Sequence, residues 1–101
     1  MIIYNVTVKV ETEIAEKWLK WLLHEHIPEI MKTRCFIDYK VARLLEVDDS
    51  DGPTYAIQYH ADSRDDYDRY IKTFSSIYIK QSFDKWGDQS YSFQSVLQVV
   101  N

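Results

Sequence analysis

The hydrophobic period switches between two and about 3.6 along this chain, and that alternation limits the available folds more than any other feature. Tyr4, Val6, Val8 and Val10 alternate with Asn5, Thr7 and Lys9, which describes a strand with one apolar face. Ile14, Trp18, Trp21 and Leu22 then recur at helical spacing. Thr12 suits the N-cap, and Glu13 and Glu16 complement the helix dipole in the first turn. Pro28 pushes the residue before it out of helical space, so the helix should end near Glu25 or His26, with a short second turn through Met31.

A long strand is expected from about Phe36 to Val47, in which Ile37, Tyr39, Val41, Leu45 and Val47 share a parity with Arg43. The acidic run Asp48 to Asp51, followed by Gly52 and Pro53, is the strongest turn signal. Tyr55, Ile57 and Tyr59 alternate after it and close a hairpin. Ser63 and Asp66 resemble a capping box, with a stripe from Tyr67 through Tyr70, Ile71 and Phe74 to Tyr78 and a C-terminal Gly87. A last strand runs from about Ser90 to Val100. The order β-α-β-β-α-β, with right-handed crossovers, predicts an α+β ferredoxin-like sandwich: a four-stranded antiparallel sheet with two helices on one face, in one domain spanning residues 1–101. An open α+β arrangement with another strand order is the alternative.

Composition narrows the function classes. Three Trp, eight Tyr and four Phe in 101 residues exclude a solvated disordered chain, and two Gly with two Pro exclude collagenous or linker-rich architectures. Twelve basic against sixteen acidic residues, without a basic cluster, argue against nucleic acid as a partner. The longest uncharged stretch, residues 89–101, is too short and too rich in Gln and Ser to span a membrane. The opening residues lack the basic region of an export signal, and a lone Cys35 suits a reducing compartment, so a cytoplasmic location is expected. Cys35 itself reads as a small buried hydrophobe.

Assigning apolar parities to the helix side places Tyr4, Val6, Val8, Tyr55, Ile57, Tyr59, Tyr91, Phe93, Leu97 and Val99 inward. Asn5, Thr7, Ala56, Gln58, His60, Gln94, Val96 and Gln98 would then form the open face. That face is polar yet nearly uncharged, and the last strand is an edge without Lys or Pro, so cover by a second copy is expected. Asn5, Thr7, Gln58, His60, Gln94, Val96 and Gln98 are therefore the candidate ligand or interface residues. A charge at Val96 would weaken self-association.

Few motifs carry chemistry. His24 and His26 are two apart and would point to different sides of a helix, so no metal site is expected. The loop ending in Gly52 fails the calcium pattern, because Val47 and Gln58 occupy ligand positions. No phosphate-binding glycine loop occurs. His60 could serve as a general base if a dimer encloses it, beside the plainer reading of an ordinary hydrogen-bonded histidine. Arg43, among apolar neighbours, reads as a salt-bridged arginine or an anion contact, and a β-bulge there would change where it points.

Met1 to Val8, Trp18-Leu-Lys-Trp21, His26-Ile-Pro28, Arg43-Leu-Leu-Glu46, Tyr55-Ala-Ile-Gln-Tyr59 and Phe93 to Val100 together resemble a family of short bacterial proteins of unknown function. The resemblance implies a fold similar to the dimeric α+β barrels, in which two ferredoxin-like protomers face each other. That superfamily includes cofactor-free monooxygenases, haem enzymes and isomerases, and a first helix ending in His-x-Pro, here His26 and Pro28, is similar to some members. Haem would need an axial ligand, for which His60 is the only strand histidine, and no cofactor is expected. The reading is non-catalytic binding of a small molecule or protein partner, or a structural role, in a homodimer. The alternative is a cofactor-free enzyme using His60 or His26 as base, with Asn5, Gln58 or Gln94 donating to an oxyanion. Catalysis would require His60 to border a cavity of roughly 300 Å³ or more.

Overall fold

The computed structural model covers residues 1–101. Strand β1 (Ile2–Val10) leads into helix α1 (Ala15–Trp21), a π-helical turn over Leu22–His26 and helix α2 (Ile27–Met31). Strands β2 (Asp38–Arg43) and β3 (Thr54–Ala61) form the hairpin, helices α3 (Arg64–Thr73) and α4 (Ser75–Trp86) follow, and β4 (Ser90–Gln98) closes the chain. The sheet order is β2-β3-β1-β4, antiparallel throughout, with the helices against one face. This is the ferredoxin-like α+β arrangement. No helix is long and apolar enough to cross a membrane.

The core is built from the even residues of β1, the odd residues of β3 and the apolar stripe of the first helical segment. Val10, Trp18, Ile27, Cys35 and Ile57 are its most deeply buried large side chains. Tyr4, Phe36, Tyr59 and Tyr70 stack on one another at centroid separations of 4.8–6.2 Å, tying β1 and β3 to α3. Arg69 fastens α3 to the other crossover by donating to the carbonyls of Thr33 and Arg34 at 3.1 and 3.0 Å. Ser63 caps α3 by accepting from the Asp66 amide at 3.2 Å.

Local departures from the sequence reading have identifiable causes. Thr12 is not the N-cap of α1: the Ile14 and Ala15 amides donate to Glu11 and Thr12 in a tight turn, and the helix begins after Ile14. The helix does not stop before Pro28. A π turn, in which the Ile27 amide reaches back to Leu22, carries the chain into α2 with Pro28 in its first turn, where a missing N–H costs nothing. Strand β2 is six residues long rather than twelve, since Leu44–Val47 leave the sheet and Glu46 takes φ 59°. Its ladder with β3 skips no residue, so Arg43 keeps the parity of Tyr39 and Val41.

The consequential difference lies in β4. Its register places Val96 opposite Tyr4, Gln94 opposite Val6 and Ser92 opposite Val8. Residues directly opposite share a face. Gln94, Val96 and Gln98 therefore point to the helix side, and Tyr91, Phe93 and Leu97 point to the open face, the reverse of the assignment by hydrophobicity. The helices stop short of β4, so its inward residues meet a gap rather than a packed layer.

Candidate functional site

That gap is a cavity of about 480 Å³ between β4 and the helical layer. Its floor is Tyr4, Val6 and Val8 of β1, and its polar wall is Ser90, Ser92 and Gln94 of β4. Trp18, Trp21 and His26 close it from the first helical segment, and Tyr78, Ile79, Ser82 and Phe83 from α4. Alternation on β4 makes the wall: every second residue from Ser90 to Gln94 is neutral and hydrophilic, and these are the ones turned inward.

His26 stands at this cavity because of the π turn, which aims it inward while His24 stays exposed. Its ring stacks on Trp21 at 4.4 Å and meets Tyr78 edge-on at 6.0 Å. Nδ1 is buried and has no hydrogen-bond partner, a rare condition in a native interior. Burial pushes the imidazole pKa down from 6.5 to about 4, so the ring is neutral at pH 7. Burial, with a contribution from Tyr67, pushes Tyr4 up to about 12. Tyr59 and Tyr70 are driven higher by burial and then by Tyr4. These phenols therefore remain protonated, able to donate as well as accept.

Acidification is expected to destabilise the fold through His26. A histidine with a depressed folded pKa takes its proton more readily when unfolded. Its stabilising contribution is thus complete above about pH 6.5 and is lost as pH falls toward about 4. Between pH 7 and pH 5 the loss amounts to about 2 kcal/mol. Urea unfolding at the two pH values measures it, and His26→Phe should flatten the difference; equal slopes for both proteins would contradict the burial of His26.

His60 is elsewhere. It sits half-buried on the open face, opposite Ile3 on one side and Asp38 on the other, and does not line the cavity. Asn5, Thr7 and Gln58 share that face with it, and the Asn5 amide donates to Thr7 Oγ1 at 3.1 Å. The seven residues grouped as one candidate surface are therefore divided between two faces: Asn5, Thr7, Gln58 and His60 outside, Gln94, Val96 and Gln98 inside. His60 does not line this cavity of the single protomer, whereas His26 does. Arg43 lies away from both, its Nη2 2.8 Å from Asp49 Oδ2 across the hairpin loop. Trp18 and Trp21, read from spacing as core, also line the cavity. Ser90 and Ser92 were missed; the signal was the alternation of small polar with aromatic residues in Ser90-Tyr-Ser-Phe-Gln94, which reads as strand but does not say which side is wet. No cluster of three or more His, Cys, Asp or Glu side chains is placed to hold a metal.

Among solved structures the chain is similar to a dimeric ferredoxin-like protein from an uncultured marine organism, with TM-score 0.71, 14% identity, and coverage of 99% of this chain and 95% of that one. An ethyl tert-butyl ether (EthD) family protein from Bacillus halodurans gives TM-score 0.71 and 14% identity over 99% of this chain and 100% of the other. A variant of SnoaB, a cofactor-independent oxygenase from Streptomyces nogalater, gives TM-score 0.65 and 11% identity over 99% and 94%. At these identities the likeness is one of fold. No curated protein matches the chain. The family model of DUF4286, a domain of unknown function, matches residues 1–100, and the chain belongs to that family.

Proposed function

We propose that this protein is a homodimer that binds a small organic molecule in the cavity of each protomer, without transforming it. The observation that carries this reading is the cavity of about 480 Å³, well within the range of small-molecule sites. The inward β4 positions that line it are Ser90, Ser92 and Gln94, where a closed core would carry Val and Leu.

A second copy is the occupant of the open face. Tyr91, Phe93 and Leu97, exposed by 67%, 59% and 43%, lie on it beside Ile3, on an edge strand that has no charged residue. Such a contiguous apolar edge is an aggregation hazard unless paired or covered. Its charges, Lys9, Asp38 and Lys40, stand toward the perimeter, around the neutral Asn5, Thr7 and Gln58 of the central strands. Dimeric neighbours of the same fold support this pairing.

One observation favours a second reading, a cofactor-free enzyme in which His26 acts as base, because His26 alone among the histidines borders the cavity. A pKa of about 4 makes it a weak base at neutral pH, which favours the binding role. Sedimentation equilibrium joined to ligand calorimetry tests the proposal. The expected result is a species of about 24 kDa, twice the chain's 12.1 kDa, that binds neutral aromatic probes, with binding abolished by Ser92→Trp, which fills the cavity. A monomer at all concentrations, or binding that survives Ser92→Trp, would refute the corresponding half.

A further inference from the structure

The charge pattern of the cavity says which ligands it can hold. None of its twenty-one lining residues is Lys or Arg, and the only acid among them is Asp88, beside α4 at the exposed end. An anion drawn into this space would lose its hydration, find no countercharge and face a carboxylate. The rings of Trp21, Tyr78 and Phe83, which line the cavity and are not buried in the core, supply flat apolar area instead. Opposite them, the hydroxyls of Ser90 and Ser92 and the amide of Gln94 offer neutral hydrogen-bonding partners. A compact cation would also lose hydration here, because Asp88 is exposed and water screens its charge.

We infer that the cavity takes an uncharged aromatic molecule and rejects carboxylates and other anions of the same shape. The inference rests on the cavity being the binding site, and deepens that reading by assigning the ligand's charge and ring character. It follows that a reaction supplying this ligand must leave it without an ionised acid group.

Three naphthalene probes of similar size separate the outcomes, each titrated into the full-length protein by calorimetry at pH 7, with Ser92→Trp as the blocked control. The expected result is that 2-naphthol binds at least about 10-fold more tightly than 2-naphthoate and 2-naphthylmethylammonium, and that Ser92→Trp removes the binding; tenfold corresponds to about 1.4 kcal/mol. Equal or tighter binding of 2-naphthoate would overturn the charge assignment while leaving the cavity as the site. Tightest binding of the ammonium probe would overturn it too, and would make the aromatic walls a cation cage. If no probe binds, or none is displaced by Ser92→Trp, the cavity-binding reading itself falls and the inference with it.

Discussion

Phe93→Lys is expected to leave the protein monomeric at micromolar concentration, where the proposed dimer would otherwise form. Phe93 lies opposite Thr7, midway along the edge strand β4 on the open face, and is 59% exposed in the isolated protomer, so the substitution leaves the fold of one copy almost untouched. In the proposed dimer the same side chain would become a buried aromatic anchor, and two copies of the change would meet across a symmetric interface. Loss of such an anchor costs about 2–4 kcal/mol in association, or roughly 30- to 1,000-fold in the dimer dissociation constant. Buried like charge adds to that. Val96→Lys is the control: Val96 pairs with Tyr4 on the opposite face and should alter association far less. Sedimentation equilibrium of both variants, with circular dichroism to verify folding, decides between the faces. Dissociation by Val96→Lys with Phe93→Lys still dimeric would contradict the register-based assignment.

Gly52→Ala is expected to be the most destabilising single-methyl change in the chain. Gly52 has φ +143°, a conformation that L side chains rarely adopt. A β-carbon there would collide with the Val10 carbonyl oxygen and stand 2.9 Å from the Thr12 amide nitrogen. Both belong to backbone and cannot rotate away. The hairpin loop would have to retreat from the end of β1, which breaks the bonds from the Val10 amide to Pro53 and from the Thr12 amide to Asp51. A loss of about 3–4 kcal/mol follows from strain and two broken hydrogen bonds together. Gly87→Ala makes a useful contrast. Its φ of +59° carries backbone strain, but no atom lies within 4 Å of the added carbon, so about 1–2 kcal/mol is expected. Urea midpoints of the two variants against the parent protein measure both, and a smaller effect at Gly52 than at Gly87 would contradict the close approach of the loop to β1.

Much of the fold was legible because its elements are strongly periodic. The alternation through Tyr4 and Val10, the helical stripe through Trp18 and Leu22, the turn ending in Gly52 and Pro53, and the Ser63 cap all signal locally and appear where they signal. Boundaries were less legible. The wide turn at Leu22–His26 depends on how the first helical segment lies across the sheet, and propensity at Pro28 alone argues for a stop. Leu44–Val47 continue the strand pattern yet leave the ladder.

The candidate site was legible only in part. His26 stood out as an alternative base, whereas Trp18 and Trp21 read as one helical stripe and Ser90 and Ser92 as strand, and their joint place at a cavity depends on the tertiary structure. Parity on β4 separates Ser90, Ser92 and Gln94 from Tyr91, Phe93 and Leu97, and local sequence carries that separation without ambiguity. It does not carry which set faces inward. Hydrophobicity chooses the aromatic set, because in a closed core the apolar side is the inner side. Here the inner side borders a cavity and the outer side is an exposed apolar face, so the usual choice is inverted.

Local patterning suffices for the order of the elements, the antiparallel sheet with its helices on one face, and the sorting of side chains into alternating sets. Which set of β4 is inward, that His26 and not His60 lines this cavity, and that Arg43 pairs with Asp49 emerge only from the assembled fold. Periodicity is a property of the local backbone, whereas a face acquires an inside only from the register with β1 and from how far the helices reach across the sheet.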